Sequence, residues 1–279
     1  MNDTLREYFS YGKFILPYLK YRKQIEPQKI HFGGKDQYFL HFPSPCKKKN
    51  TLIIYYHGGG WNSNSPKLHA FIGQKLALEG FDCIMPGYRK APKARYCEIA
   101  DDVHSGYQAI GSYLAKENLS YDKIIVMGSS AGAHLGALLC YDVQMLSSFA
   151  PSLHLPDAFI SLAGPLAFSP PMTGALRILL KGLFNTGDPT KWTIGEPIRK
   201  LHEKPGFRQY IIHSPHDGLV NIEQAQAFHE KALSLGIDSH FYEVTDSWNT
   251  HSAYCAGIFL QDKANSLTLA KVLQIAESI

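Results

Sequence analysis

Residues 124–135 read Ile-Ile-Val-Met-Gly-Ser-Ser-Ala-Gly-Ala-His-Leu, and this stretch decides the fold class. Four apolar residues typical of a buried strand lead into G-x-S-x-G, and a helical pattern follows. The chain must turn from strand to helix within a few residues, which places Ser130 in a strained backbone conformation. Gly128 and Gly132 lack a Cβ, so neighbouring segments can approach the turn closely. The pattern predicts Ser130 as a nucleophile at a strand end, beside a helix N-terminus that favours developing negative charge.

Apolar runs typical of strands alternate with longer helical patterns on both sides of this stretch. The predicted strands cover residues 51–56, 81–85, 123–127, 158–162, 209–213 and 240–244. The predicted helices lie near residues 68–79, 99–116, 131–141, 222–235 and 264–275. Parallel neighbours need a crossover that a helix supplies. The alternation therefore predicts an α/β fold with a mostly parallel central sheet and helices on both faces.

A glycine run follows the first predicted strand of this series. Residues 57–61 read His-Gly-Gly-Gly-Trp, 73 residues before Ser130 when counted from His57. Consecutive glycines let a backbone expose its amides without obstruction by side chains, as an oxyanion hole requires. A flexible turn or a phosphate loop would share the glycines, but a phosphate loop leads to Lys-Ser/Thr, which does not follow here. His57 is predicted to organise the loop, and Trp61 is a candidate for contacting substrate, with a role as a packing residue as an equal alternative.

The acid and the base of a triad are predicted from their order after Ser130. Asp217 lies in a loop just past the strand predicted at 209–213, at the sheet edge where Ser130 is presented. His251 follows the last predicted strand, so it is the predicted base. Asp188 and Asp246 lack such a position. His213 and His216 form H-x-x-H, but one pair without a third ligand is weak support for a metal site, and no metal is predicted.

These residues resemble a known group, the small α/β-hydrolase esterases that include hormone-sensitive-lipase-like enzymes and acetyl- and feruloyl-esterase-like carbohydrate esterases. The resemblance rests on five landmarks over residues 50–255: HGGGW at 57–61, YRKAP at 88–92, GSSAG at 128–132, Asp217 and His251. It implies the α/β-hydrolase fold and an oxyanion hole formed by the N–H groups of Gly59, Gly60 and Ala131. It also implies that the segment at 88–92 supports the site structurally.

Two positions depart from the hormone-sensitive-lipase-like pattern. Ser129 and Gly87 stand where those enzymes usually carry acidic residues. The run GSSAGAHL at 128–135 is closer to the acetyl- and feruloyl-esterase-like branch, which also contains formamidases.

The resulting hypothesis is a serine carboxylesterase that hydrolyses small or short-chain acyl esters, such as acetyl esters, through an acyl-enzyme and without a cofactor. Two alternatives stay open. An amide-bond hydrolase, such as a formamidase or a small peptidase, shares the tetrahedral chemistry. A non-catalytic ligand-binding protein shares the fold, because fold alone does not establish function.

The 279 residues are predicted to form a single domain with two appended segments. Residues 1–30 are predicted as an N-terminal helical cap segment, since Leu5, Tyr8, Phe9 and Leu19 recur at helical spacing. A membrane-surface helix is the alternative, but weakly basic amphipathic helices usually bury their apolar side. Residues 164–207, rich in proline and glycine with a helical stretch at 175–184, are predicted as a lid-like insertion. An irregular connection without a role is the alternative.

Composition and charge indicate which kinds of partner and location to expect for this protein. With 45% hydrophobic and 19% charged residues, the chain is typical of a globular protein. The net charge of +4 comes from scattered lysines and arginines, which argues against a nucleic-acid partner. Five cysteines without metal-ligand spacing suggest reduced thiols. No apolar run is long enough to span a bilayer and no signal peptide is apparent, so a cytoplasmic protein without stable membrane association is expected. Homodimerisation is left open.

Overall fold

The fold was analysed in a computed structural model, which describes residues 6–7, 15–46, 50–141, 153–169, 171–201 and 206–279. One eight-stranded sheet has the order β1-β2-β4-β3-β5-β6-β7-β8. The strands are β1 (Gln28–His31), β2 (Tyr38–Phe42), β3 (Thr51–Tyr56), β4 (Asp82–Pro86), β5 (Lys123–Ser129), β6 (Ala158–Leu162), β7 (Arg208–His213) and β8 (Ser239–Glu243). The strands from β3 to β8 pair in parallel, whereas β2 pairs antiparallel with β1 and β4.

Seven α-helices accompany the sheet between residues 70 and 278 in the described part of the chain. They are α1 (Ala70–Leu78), α2 (Tyr96–Lys116), α3 (Ala131–Tyr141), α4 (Gly174–Phe184), α5 (Ile222–Ser234), α6 (His251–Cys255) and α7 (Leu267–Ser278). Residues 15–20 are also helical. All six predicted strands and the six predicted helical stretches between residues 68 and 275 are present, with ends shifted by a few residues. The predicted α/β-hydrolase fold is confirmed.

The central strands are buried on both faces, as β3 illustrates. Successive side chains of a strand point to opposite sides of the sheet. Leu52 and Ile54 therefore pack into one hydrophobic cluster, and Ile53 and Tyr55 pack into the other, all of them fully buried. Strands covered on both faces become continuous apolar runs instead of alternating ones. The continuous run is what made these strands recognisable in the sequence.

The hairpin β1-β2 was missed, and it corrects the predicted N-terminal cap segment. Within residues 1–30, the described helical part covers residues 15–20, and β1 begins at Gln28. Leu5, Tyr8 and Phe9 lie outside the described residues. The strand β2 is buried along its whole length, but no helical pattern separates it from β1. An antiparallel pair needs no helical crossover, so the strand–helix alternation carried no signal for it.

The predicted insertion at 164–207 contains α4 and two short 3₁₀ turns, Pro189–Gly195 and Pro197–Arg199, among its described residues. Trp192, in the first of these turns, is fully buried, and the Gly195 carbonyl lies 2.7 Å from Nε2 of His134 in α3. The insertion is thus packed onto the core near the nucleophile. A function as a lid stays a prediction.

Parallel strands bring the predicted site residues to one edge of the sheet. The carboxyl ends of β3, β5 and β7 lead directly into the glycine loop, Ser130 and the loop that holds Asp217, while His251 begins α6 after β8. Loops at the carboxyl ends of such strands are where α/β sheets bind ligands. No helix of the described part of the chain is long and apolar enough to cross a membrane.

Candidate active site

Ser130 lies in the sharp turn between β5 and α3. Its φ of 52° is in the left-handed region, where a residue with a Cβ is strained. The Ser130 N–H donates to the Leu162 carbonyl at 2.8 Å, which ties the turn to β6. A Cβ on Gly132 would lie 2.0 Å from the Tyr56 carbonyl oxygen, so this position accepts only glycine without movement of the backbone. The turn therefore requires glycine at 132, as the motif predicted.

Ser130, His251 and Asp217 form one chain of hydrogen bonds. His251 Nε2 lies 2.8 Å from Ser130 Oγ, and His251 Nδ1 lies 2.8 Å from Oδ2 and 3.0 Å from Oδ1 of Asp217. The three residues are 7%, 4% and 7% exposed, respectively. Since a carboxylate only accepts, Nδ1 carries the proton and Nε2 is left to accept from the serine hydroxyl. This is the arrangement that a serine nucleophile and its base require.

The charges of Asp217 and His251 support each other. Burial alone would raise the pKa of Asp217, but the adjacent His251 and its hydrogen bond, together with Tyr254, hold that pKa below its usual value. Burial alone would lower the pKa of His251, but the Asp217 carboxylate outweighs it and raises that pKa. The carboxylate is therefore ionised and the imidazole is a stronger base than free histidine.

Asp217 is held by three further donors. Its Oδ1 accepts from the N–H groups of Leu219 at 2.9 Å and Val220 at 2.8 Å, and its Oδ2 accepts from the Tyr254 hydroxyl at 2.6 Å. Tyr254 was missed in the sequence. Its only signal is its position three residues after His251, which puts both side chains on one face of a helix.

Glu7 was also missed, and it anchors the other side of His251. Its two carboxylate oxygens accept from the N–H groups of His251 at 2.6 Å and Ser252 at 2.9 Å, at the start of α6. Backbone N–H groups at a helix start lack partners within the helix, so a carboxylate there is favourable. No local pattern around Glu7 signals a partner 244 residues away.

The glycine loop borders the same cavity as Ser130 and His251. Gly59 and Gly60 have φ values of 119° and 55°, which favour glycine. Outside the regular helices and strands, no hydrogen bond between described residues uses the N–H groups of Gly59, Gly60 or Ala131. Ala131 begins α3 directly after Ser130. The three amides predicted as oxyanion donors are thus free of competing acceptors in the described residues.

The structure places Trp61, predicted as a candidate for contacting substrate, away from the cavity. Trp61 is 1% exposed, and it is not among the described residues that line the cavity. Its Nε1 donates to Nδ1 of His134 at 3.2 Å, and the two rings meet edge to face. A φ of 61° at Trp61 belongs to the left-handed turn that follows Gly60. Trp61 is a packing residue beneath the loop.

The cavity has a volume of about 390 Å³. One part of its wall is polar, and another is apolar. The polar part includes Asn62, Ser63, Asn64 and His69, and the apolar part includes Leu179 of α4, Leu219 and Ala256. The insertion therefore contributes directly to the wall through Leu179.

The structure shows where the predicted loop histidines His213 and His216 lie. His213 is fully buried, and its Nε2 donates to the Val220 carbonyl at 2.9 Å. Among the described residues there is no group of three or more histidine, cysteine or acidic side chains arranged to hold a metal ion.

Comparisons with known proteins agree with this architecture. A family described as alpha/beta hydrolase fold matches residues 53–177. Esterase LipQ of Mycobacterium tuberculosis is 23% identical over 253 residues, which cover 85% of this chain and 59% of LipQ. Carboxylesterase NlhH of the same organism is 28% identical over 129 residues, which cover 45% of this chain and 39% of NlhH. The chain thus spans less than two thirds of either relative.

The solved structure of esterase B from Lactobacillus rhamnosus superimposes with a TM-score of 0.78 at 14% identity, covering 99% of this chain and 93% of esterase B. At this identity the likeness concerns the fold. The family match and the structural likeness agree that the chain has the α/β-hydrolase fold, and the relatives to which it is similar include esterases.

Proposed function

We propose that this chain is a serine carboxylesterase that hydrolyses small or short-chain acyl esters, with Ser130 as nucleophile, His251 as base and Asp217 as the residue that orients His251. The observation that supports this most strongly is the buried chain of hydrogen bonds from Ser130 through His251 to Asp217, open to a cavity beside the glycine loop. The esterases among the relatives support the reaction class.

The first half of the reaction forms an acyl-enzyme. Ser130 Oγ attacks the acyl carbon while its proton passes to Nε2 of His251. The carbonyl oxygen becomes anionic, and the N–H groups of Gly59, Gly60 and Ala131 stabilise it, a type of contact worth about 2.7–4 kcal/mol per donor. The carbon–oxygen bond to the alcohol then breaks, and the alcohol leaves with the proton from His251.

The second half consumes water. His251 takes a proton from a water molecule, which attacks the acyl carbon, and a second oxyanion forms in the same place. The bond to Ser130 Oγ breaks, Ser130 regains its proton from His251, and the carboxylic acid is released. Each step uses groups of this chain and water alone.

The size of the cavity supports small substrates. Its volume of about 390 Å³ is at the lower end of the range for ligand sites, roughly 300–1,000 Å³. Leu179 closes on the glycine loop, because a Cβ on Gly60 would lie 2.8 Å from its side chain. A long acyl chain would need this leucine to move.

The proposal is tested with p-nitrophenyl esters from acetate to palmitate and with a fluorophosphonate label, using wild type, Ser130→Ala, His251→Ala and Ser129→Ala. Turnover of short esters that is lost in the first two variants, with labelling retained in Ser129→Ala, is the expected result. Labelling of the wild type without turnover of any ester would overturn ester specificity and favour amides or formamides. Absence of labelling in the folded wild type would favour a non-catalytic binding protein.

A further inference from the structure

Lys90 makes an unusual contact with the histidine of the glycine loop. Its Nζ lies 3.2 Å from Nε2 of His57 and 3.3 Å from the centroid of the Tyr88 ring. The His57 ring stacks on Tyr88 with centroids 4.6 Å apart and planes at 12°. His57 and Tyr88 are fully buried, and Lys90 is half-buried. The amine is thus held between a ring face and a ring nitrogen, directly behind the loop that borders the cavity.

The hydrogen bonds define the protonation of His57. Burial and the neighbouring amine of Lys90 lower the pKa of His57 well below its usual value, so the ring is neutral. Its Nδ1 lies 2.7 Å from the Gly58 carbonyl oxygen, which only accepts. Nδ1 therefore carries the proton, and Nε2 is the acceptor for an N–H of Lys90. The result is a chain of two hydrogen bonds, called the relay below, that runs from Lys90 through His57 to the carbonyl of Gly58.

This relay acts on one peptide group of the oxyanion loop. The carbonyl of Gly58 and the N–H of Gly59 belong to the same peptide plane, and in a trans peptide they point in opposite directions. A carbonyl held toward His57 therefore directs the Gly59 N–H away from His57. The Tyr88 hydroxyl donates to the His57 carbonyl at 3.0 Å and restrains the preceding peptide group in the same way. Glycine has no Cβ to restrict rotation of these groups, so hydrogen bonds to the side chains of His57 and Tyr88 restrain them instead.

We infer that Lys90 is a positioning residue that sets the direction of the Gly59 N–H through His57. This inference rests on the proposed function, in which that N–H stabilises the oxyanion. Such an effect belongs to the transition state, because the donor is aimed at charge that develops only there. It should appear in kcat with little change in KM.

The charge of Lys90 is not needed for the relay. Burial lowers the pKa of Lys90 to about 7, against the opposing effect of the carboxylates of Asp36 and Asp102. Both the ammonium and the neutral amine carry N–H groups, so either form donates to Nε2 of His57. A neutral donor at position 90 is therefore expected to replace lysine, whereas an apolar side chain of similar length is not.

The experiment compares Lys90→Met, which keeps the length and removes the donor, with Lys90→Gln, which keeps an uncharged N–H donor. Lys93→Met is the matched control, since Lys93 is exposed in the same segment. The inference predicts that Lys90→Met lowers kcat for the best short-chain ester about tenfold, a fraction of the roughly 10²–10³ lost with a whole oxyanion donor. KM should stay within about twofold, and Lys90→Gln should keep kcat within about threefold.

A double-mutant cycle separates positioning from general support. His57→Phe keeps the ring stacked on Tyr88 but has no Nδ1–H, and residues in one relay give non-additive effects. Lys90→Met and His57→Phe together should therefore lower kcat no more than either alone. Additive effects, or a folded Lys90→Met variant with the kcat of the wild type, would overturn the inference. If Lys90→Met does not fold, equal kcat values for Lys90→Gln and His57→Phe would overturn it.

Failure of the inference is distinct from failure of the proposed function. A wild type without Ser130-dependent ester turnover contradicts the proposed function. An active wild type whose Lys90→Met variant keeps its kcat contradicts only the role of Lys90.

Discussion

Tyr254 and Asp217 are joined by a hydrogen bond of 2.6 Å from the tyrosine hydroxyl to Oδ2, the same oxygen that accepts from His251 Nδ1 at 2.8 Å. Both donors come from one turn of α6, three residues apart. The short helix therefore carries the proposed base together with a side chain that restrains the base's partner. His251 and Asp217 are therefore linked in two ways, by their direct hydrogen bond and through Tyr254, which lies in the same helix as His251.

The Tyr254 hydroxyl is expected to matter for kcat. Tyr254→Phe removes one donor to Asp217 and leaves the ring in place, so the carboxylate is less restrained. We expect kcat to fall about fivefold, equivalent to roughly 1 kcal/mol, with KM nearly unchanged. Tyr242→Phe on β8 is the matched control, because its ring contacts with Tyr210 and Lys271 survive. Equal kcat values in the two variants would contradict the role of Tyr254.

The pH dependence of kcat/KM follows from His251. The imidazole must be neutral to accept the Ser130 proton, and the Asp217 carboxylate raises its pKa above the ordinary 6.5 despite the opposing effect of burial. Activity is therefore expected to be lost as pH falls through a value above 6.5. The measurement is kcat/KM against pH, with samples returned to neutral pH to exclude unfolding. An acidic limb at or below the ordinary value would contradict the proposed base.

Glu7 is expected to raise the pKa of His251, since its carboxylate lies at the start of α6. Glu7→Gln removes this negative charge and leaves only one oxygen to accept from the two N–H groups. We expect the acidic limb of kcat/KM to move to lower pH and kcat at its plateau to fall about threefold. Glu26→Gln, exposed beside Lys23, is the control. An unchanged acidic limb of kcat/KM in Glu7→Gln would show that Glu7 does not affect the pKa of His251.

Leu179 is expected to limit the acyl chain. Leu179→Ala removes apolar atoms beside Gly60 and enlarges the cavity on that side. The ratio of kcat/KM for hexanoate to that for acetate should rise about fourfold to fifteenfold, as one or two additional methylene groups become buried at about 0.8 kcal/mol each. Ile178→Ala is the control, since Ile178 is 72% exposed in the same helix. The same ratio in both variants would place the acyl chain elsewhere.

Gly132 and Gly182 should respond to alanine in opposite directions. A Cβ at Gly132 meets the backbone of β3, whereas nothing lies within 4 Å of a Cβ at Gly182 inside α4. Gly132→Ala should lower stability by about 3 kcal/mol, or about 6–12 °C in Tm. Gly182→Ala should raise stability by about 0.5–1 kcal/mol, since alanine favours helix. Thermal unfolding of both variants measures this, and equal Tm values would contradict the close approach.

Local requirements explain why much of the fold was predictable. Strands covered on both faces are mostly apolar, so β3 and β5 were predictable from the runs at 51–56 and 123–127. A strand that turns into a helix at a residue with positive φ needs small neighbours, so the sequence 128–132 marks Ser130 without any knowledge of the fold. Asp217 and His251 followed from their order after the later strands.

Contacts between distant segments, and the direction of side chains after irregular turns, were decided only by the tertiary structure. Glu7 reaches the N–H of His251 across 244 residues, and Lys90 meets His57 across 33. Trp61 turns inward to His134, although its place in the motif had suggested the cavity. The sequence by itself determined the fold class and the order of the proposed triad, because buried strands and the strained turn impose local patterns. The supporting contacts impose no such pattern, since each depends on two segments that meet only when the sheet is complete.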